Sequence, residues 1–175
     1  MPRLVKPLVP LICWMTAGYI GYHRKRLMSE SSPIAEDVQA QLRGFFSDSV
    51  LTQSRIIQAV MPEPAVYPLA KVLGVNGLLE MSSISAITLI DVVAYPEQLG
   101  LSTLFHELVH VVQYQVLGLK RFAELYVKGF LNGGGYYGIP LEKQAYELGA
   151  RFDAEPAKSF SVEQEVARRS APGLL

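Results

Sequence analysis

The residues best suited to chemistry are His106, Glu107 and His110, which form the pattern H-E-x-x-H. Side chains four residues apart on an α-helix lie one turn above another on the same face. His106 and His110 can therefore direct two imidazoles at one point, as a tetrahedral zinc ion requires. Glu107 is rotated by about 100° from His106, so it can hold a water molecule without binding the ion. The pattern predicts a Zn²⁺ site with Glu107 as general base.

This geometry requires a helix, and the sequence predicts one over Leu101–Leu117. Apolar residues recur there at spacings of three and four, and no proline or glycine interrupts them. Ser102 or Thr103 can cap its start, and Gly118 stands where a C-cap glycine is common. We expect this largely apolar helix to be buried, where unpartnered polar groups are costly. The alternative is two core histidines bonded to carbonyls and a glutamate paired with arginine, but the spacing favours a metal site.

A third ligand must come from elsewhere, because a catalytic zinc usually has three protein ligands and an open position. The metzincin pattern is excluded, since Gln113 and Val116 occupy the positions of its glycine and histidine. A predicted helix over Pro140–Asp153 instead offers Glu142 and Glu147. Glu142 borders the apolar face of that helix, whereas Glu147 has a lysine and an arginine one turn away, as on a solvated face. The pattern favours Glu142 and leaves Glu147 as the alternative.

Three residues are candidates for binding a substrate. Gln113 lies seven residues after His106, on the same helical stripe, and either lines the site or bonds to a neighbouring loop. Tyr136 and Tyr137 lie in a glycine-rich loop and could donate to a developing oxyanion, with aromatic packing over the cleft as the alternative. No strand precedes these glycines and no Lys-Ser/Thr follows them, so the loop is not a phosphate-binding loop.

The elements before the motif helix include short strands. Leu78–Tyr95 is rich in Ile, Val and Thr and predicts one or two strands, and Arg55–Met61 predicts another. Asp91 is the only charged residue in Met81–Tyr95. It is either a turn carboxylate or an acceptor for the N–H of a ligand histidine. Further helices are predicted over Leu11–Met28, Tyr67–Val75 and Arg121–Leu131. Another is predicted to begin after a Ser31 cap, with Pro33 in its first turn, and to end at about Gly44.

Composition indicates a globular protein with one sizeable core. Of 175 residues, 50% are apolar and 18% are charged, and 16 basic residues balance 16 acidic ones. This balance does not suggest a nucleic-acid partner. The single cysteine, Cys13, excludes an intrachain disulfide and fits a reducing compartment, so we expect a cytoplasmic location.

The two ends of the chain are predicted to differ from its centre. Residues 1–30 form an apolar helix with a basic end, and its apolar run at residues 8–22 could instead associate with a membrane. That run is shorter than the roughly 20 residues that span a bilayer, and Pro10 interrupts it, so packing on the domain is favoured. Residues 31–153 are expected to form the catalytic domain, and residues 154–175 a flexible tail.

The combination of HELVH with the later sequence EKQA, which begins at Glu142, resembles the gluzincin group of zinc metallopeptidases. It is similar, more narrowly, to small bacterial peptidase-like domains of the DUF4157 type, over Ile84–Phe152. The order of elements predicts an α+β domain that is mostly helical, with a short β-sheet preceding the H-E-x-x-H helix. The resemblance implies a zincin-like fold in which a strand before that helix forms the edge of a cleft.

The resemblance also implies roles for individual residues. His106, His110 and Glu142 would bind zinc, Glu107 would act as the base, and the substrate would be a peptide or protein. Two features depart from the pattern: Tyr146 stands where many such domains have aspartate, and a thermolysin-type N-E-x-x-S-D helix is absent. The alternatives are a metal-binding scaffold, an inactive zincin-like protein, or a membrane-associated interaction protein.

Overall fold

The computed structural model describes residues 6–64, 66–72, 78, 84–133 and 135–169. Within these ranges the chain is α+β and mostly helical, with one four-stranded sheet. The α-helices are α1 Val9–Met28, α2 Glu36–Leu42, α3 Asp48–Gln53, α4 Val66–Val72, α5 Leu101–Gly133, α6 Pro140–Ala154 and α7 Val162–Arg169. The strands are β1 Ser32–Pro33, β2 Arg55–Gln58, β3 Ile87–Leu89 and β4 Val92–Tyr95. Short 3-10 turns lie at Lys6–Leu8 and Tyr136–Gly138.

The long helix α5 consists of two helical segments that meet at Gly118. The backbone there has φ 73° and ψ 158°, a conformation that essentially only glycine adopts without strain. The first segment carries the H-E-x-x-H motif, and the second contains the predicted helix over Arg121–Leu131. The prediction that a helix ends at this glycine and another follows it is confirmed.

The sheet places an edge strand beside the motif segment of α5. Its order is β1-β2-β4-β3, with β2 and β4 parallel and the other two pairs antiparallel. Among the described strands, β3 pairs only with β4, and the hydroxyl of Thr88 on β3 bonds to Glu107 on α5. The predicted strands before the motif helix are confirmed as a hairpin, while residues 79–83 of that stretch lie outside the described ranges.

Helix α5 packs between two apolar clusters. The first joins it to α2, α3, α6 and α7, and there the rings of Phe105 and Phe152 stack with centroids 4.4 Å apart. The second joins it to α1 and the sheet through buried side chains such as Ile20, Val92 and Tyr114. Because both faces of the motif segment are covered, its polar side chains lie in a largely apolar surrounding.

The N-terminal helix packs on the same core. Ile20 and Leu27 of α1 are buried in the second cluster, and Arg24 donates two hydrogen bonds to the carboxylate of Asp91, at 2.8 and 2.7 Å. Asp91 is therefore the turn carboxylate of the β3–β4 hairpin, and its alternative role beside a ligand histidine is wrong. Among the described helices, none combines the length and hydropathy needed to span a membrane.

The predicted helix start at Ser31 is wrong. Ser32 and Pro33 form the short strand β1, paired antiparallel with β2, and α2 begins only at Glu36. Pairing with β2 outweighs the local capping preference, and an edge strand tolerates a proline because one of its sides needs no N–H donor.

The expectation of a flexible tail over residues 154–175 is wrong for much of its length. Val162 and Val166 lie one turn apart on α7, and both are fully buried in the first cluster. The amide of Val162 also donates a hydrogen bond to the carbonyl of Phe45, at 2.9 Å. Burial of these two valines and this hydrogen bond dock the short helix on the core, while residues 170–175 lie outside the described ranges.

Candidate metal centre

The side chains of His106, His110 and Glu142 converge on one point. The two Nε2 atoms are 3.2 Å apart, and they lie 3.3 and 3.4 Å from Oε2 of Glu142. Zinc bonds of about 2.0–2.1 Å at tetrahedral angles place neighbouring ligand atoms about 3.3 Å apart. The three atoms therefore have the separation that one zinc-sized cation requires.

Two helices supply these groups. The histidines lie one turn apart on α5, and Glu142 projects from the first turn of α6, where only 3% of its surface is exposed. The side chain of Glu147 is 57% exposed and pairs with Arg169 on the surface. The structure thus brings Glu142 to the two histidines and places Glu147 away from them.

A close helix contact fixes the position of Glu142. A Cβ atom on Gly129, in the second segment of α5, would lie 2.6 Å from Cδ of Pro140 and 3.2 Å from Cα of Ile139. Only a residue without a side chain lets the start of α6 approach this closely. The distance between the helices at this contact helps to set how far Glu142 reaches toward the histidines.

Gln113 holds the ring of His110. Its Oε1 lies 2.8 Å from Nδ1 of His110, and its amide nitrogen donates to the carbonyl of Leu141 and to Oε1 of Gln144, at 3.0 and 2.9 Å. Because both amide hydrogens are used, Oε1 must accept, so Nδ1 carries a hydrogen and Nε2 is left as the ligand atom. Gln144 extends this hydrogen-bond network by donating to the carbonyl of Glu165 on α7.

The prediction that Gln113 lines the site and contacts a substrate is wrong. Its side chain is fully buried and lies behind His110, away from the open cavity. The alternative, a hydrogen bond to a neighbouring loop, is also wrong in its partner, because Leu141 and Gln144 lie on helix α6.

Two tyrosines hold the carboxylate of Glu142. Tyr126 donates to Oε1 at 3.0 Å, and Tyr136 donates to Oε2 at 2.6 Å. The hydroxyl of Tyr136 is therefore directed at the predicted ligand and not at an oxyanion, although its ring lines the cavity. Tyr137 is 81% exposed at the cavity wall. No sequence pattern marks Tyr126 beyond its place on an apolar helix face.

Glu107 lies beside the cluster without joining it. Its side chain is buried, and Oε2 accepts a hydrogen bond of 2.7 Å from the hydroxyl of Thr88. The described residues provide no donor to its other carboxylate oxygen, and Glu107 lines the cavity. Thr88 was not identified from the sequence, where a lone hydroxyl in a β-branched run has no distinctive pattern.

The electrostatics of the metal-free cluster follow from burial and pairing. Burial alone would lower the pKa of His110, but the carboxylate of Glu142 raises it to about 9. Burial alone would raise the pKa of Glu142, but His110 and the other hydrogen-bond donors lower it well below its usual range. Burial, and then Glu142, raise the pKa of Tyr126 and Tyr136, so both hydroxyls stay protonated as donors.

The cluster opens into a cavity of about 1100 Å³. Glu107, His106 and Glu142 form part of its wall, as does Thr88 on the edge strand β3. The ring of Tyr146 lies beside His106, with centroids 4.6 Å apart, at the position where the resemblance leads one to expect aspartate. Other molecules can therefore reach the point on which the three ligand atoms converge.

Comparison of the chain with protein-family models, with curated proteins and with solved structures finds no match.

Proposed function

We propose that this protein is a zinc-dependent peptidase with a zincin-like domain of the gluzincin kind. His106, His110 and Glu142 bind the metal, and Glu107 is the general base. The observation that carries the proposal is the mutual spacing of 3.2–3.4 Å among three ligand atoms on the wall of an open cavity. The buried carboxylate of Glu107 lies next to them and is not needed as a ligand.

The donor set fits a catalytic zinc site. Two imidazoles and one carboxylate are the protein ligands of several zinc hydrolases, in which the remaining position binds water. The same donor set also binds Fe²⁺ in oxygenases. The glutamate that directly follows the first histidine favours hydrolysis, because such a residue serves as the base in H-E-x-x-H enzymes.

A zinc ion held by His106, His110 and Glu142 would lower the pKa of a water molecule and polarise the substrate carbonyl. Glu107 would accept a proton from the attacking water and return it to the leaving amine. Thr88 keeps the carboxylate in place by donating to one oxygen, which leaves the other free to accept the proton. The side of β3 that pairs with no described strand offers backbone groups to which an extended peptide in the cavity can bind.

A substitution that preserves the metal site tests this proposal. Glu107→Gln should bind zinc as the wild type does, while its rate on a general peptide library falls by about 10²–10⁴-fold because the base is lost. Glu147→Gln is the matched control, and both zinc content and rate should be unchanged. Cleavage by Glu107→Gln at the wild-type rate would contradict the mechanism. Tight zinc binding by a wild-type protein that cleaves no peptide would favour the metal-binding scaffold.

A further inference from the structure

The cavity extends from the metal centre to the N-terminal helix. Exposed residues recur along one face of α1 at helical spacing, and several of them also line the cavity. Trp14 is 74% exposed and Tyr22 is 65% exposed, although both are large aromatic side chains. An aromatic stripe that faces an open cavity, and is not covered by any described part of the chain, is typical of a binding surface.

Helix α1, which carries this stripe, is held on the core by apolar packing and hydrogen bonds. Its residues Ile20 and Leu27 are buried in the core, and Tyr19 donates a hydrogen bond to the carbonyl of Pro62, at 2.7 Å. The two hydrogen bonds from Arg24 to Asp91 join α1 to the hairpin that contains β3. The stripe is therefore a fixed wall of the same cavity.

A second part of the cavity wall is also aromatic. Tyr136, Tyr137 and Tyr146 lie on the side of the metal centre formed by α6 and the turn before it. A peptide side chain that contacts both parts of the wall would be surrounded by aromatic rings, which favours large apolar and aromatic groups.

Among the described residues that line the cavity, acidic side chains are present and lysine and arginine are not. The carboxylates are those of Glu107, Glu142 and Asp153. A bound divalent cation offsets two of these charges and leaves Asp153. An acidic peptide would meet this carboxylate without a compensating cation in the described lining, so neutral and basic segments are favoured.

A polar group on α1 also faces the cavity. His23 is only 7% exposed, and its ring lies against Tyr19 with centroids 4.4 Å apart. The described residues provide no hydrogen-bond partner for its ring nitrogens. A buried polar group of this kind is costly unless a ligand or water satisfies it, and a peptide backbone can do so.

We propose that α1 is the specificity wall of the cavity, and that it selects extended peptide segments with aromatic or large apolar side chains and no acidic residues. This inference rests on the proposed peptidase function for the identity of its ligand. Trp14 and Tyr22 contact the apolar side chains of the peptide, and His23 hydrogen-bonds to its backbone.

The chain contains its own reporter, because Trp14 is its single tryptophan. The test uses full-length, zinc-loaded Glu107→Gln protein, which should bind a peptide without cleaving it. A blocked octapeptide with two phenylalanines and one lysine should shift the Trp14 emission to shorter wavelength in a saturable titration. The same peptide with aspartates in place of the phenylalanines should bind at least about tenfold more weakly. Equal binding of both peptides, or no saturable shift, would overturn the proposal.

A membrane is the competing occupant, and the same reporter distinguishes it. Vesicles of anionic phospholipid that shift the Trp14 emission, when the apolar octapeptide does not, would assign the stripe to a lipid surface and overturn the peptide proposal. Vesicles that leave the emission unchanged while the peptide shifts it would support the peptide proposal.

A substitution on the wall separates specificity from catalysis. Tyr22→Ala should raise KM for the apolar octapeptide about tenfold and leave kcat within about twofold, since Tyr22 is neither in the predicted ligand set nor hydrogen-bonded to it. Val60→Ala is the control, because Val60 is 74% exposed and does not line the cavity. An unchanged KM in Tyr22→Ala would contradict the inference. If the Glu107→Gln variant binds the peptide while the wild-type protein cleaves none, the binding role of α1 would be supported and the peptidase function would be contradicted.

Discussion

The Nδ1 atom of His110 lies 2.8 Å from the side-chain oxygen of Gln113, one turn further along the same helix. Histidine ligands are often oriented by a carboxylate, which adds a negative charge to the site. An amide gives the same orientation without that charge, in a region that already contains the buried carboxylates of Glu107 and Glu142. The neutral acceptor therefore orients the ring, with Nε2 toward His106 and Glu142, and avoids a third buried anion.

Gln113→Leu removes this acceptor at nearly the same volume. The zinc affinity should fall about 10–100-fold, because the His110 ring loses its fixed orientation. The unfolding free energy of the metal-free protein should fall by about 1–3 kcal/mol, since Leu141 and Gln144 lose a buried donor. Chelator competition and urea unfolding measure the two effects. The control is Gln41→Leu on the exposed side of α2, and an equal zinc affinity in both variants would contradict this role for Gln113.

The two glutamates of α6 form a matched pair for testing the third ligand. Loss of a residue that only hydrogen-bonds to a metal ligand weakens zinc binding by roughly 10–100-fold. Glu142→Gln should weaken it by more, because the predicted ligand itself is changed. Glu147→Gln removes only a surface ion pair with Arg169 and should change stability by less than about 1 kcal/mol. Metal content after dialysis decides between them, and a zinc-retaining Glu142→Gln protein would refute the assignment.

The tyrosines around Glu142 can be tested one hydroxyl at a time. Tyr126→Phe and Tyr136→Phe each remove one donor to the carboxylate, so each should lower the zinc affinity by about tenfold or more. Tyr137→Phe removes the hydroxyl of the exposed neighbouring ring and should have no effect. The measurement is a zinc titration of all three variants. Similar affinities in all of them would show that the tyrosine hydroxyls do not support the site.

The packing of α6 on α5 predicts opposite outcomes for two glycines in helices. Gly129→Ala should weaken zinc binding, because its Cβ would meet the ring of Pro140 and displace the start of α6. Gly149→Ala has open space around its Cβ and should stabilise α6 by about 0.5–1 kcal/mol without changing the zinc affinity. Thermal unfolding and zinc titration of both variants test this. A Gly129→Ala protein with full zinc affinity would exclude the close helix contact.

The pair of His110 and Glu142 predicts a pH dependence. The pKa of His110 in the folded metal-free protein is raised from 6.5 to about 9, so its contribution to stability is complete below pH 6.5 and is lost as the pH rises through about 9. The pKa of Glu142 is lowered from 4.5, so its contribution is present above pH 4.5 and is lost at lower pH. Without metal, the pair should therefore stabilise the fold most between about pH 4.5 and 6.5.

Zinc binding should show the opposite trend above neutral pH. The ion must displace the proton that His110 carries, so the apparent zinc affinity should rise by up to tenfold per pH unit between about pH 6.5 and 9. Calorimetry in buffers of different ionisation enthalpy counts the released proton. An affinity that does not change over this range would mean that His110 is already neutral in the metal-free protein.

The sequence alone located the two histidines and the adjacent glutamate, because their relation depends only on helix geometry. It also favoured Glu142 over Glu147, because burial of one helix face can be read from neighbouring residues. The strands before the motif helix and the break at Gly118 followed from local composition and glycine conformation. Each of these features is set within a single element.

Tertiary structure decided the contacts between elements that are distant in the chain. Gln113 reaches α6, Thr88 reaches α5, and residues near the two ends complete the fold through α1 and α7. The polar partners have no periodic pattern, because each is determined by one contact that forms only after the helices have packed. The site thus combines a motif fixed by the spacing of a few residues with supporting contacts that depend on the packing of the whole core.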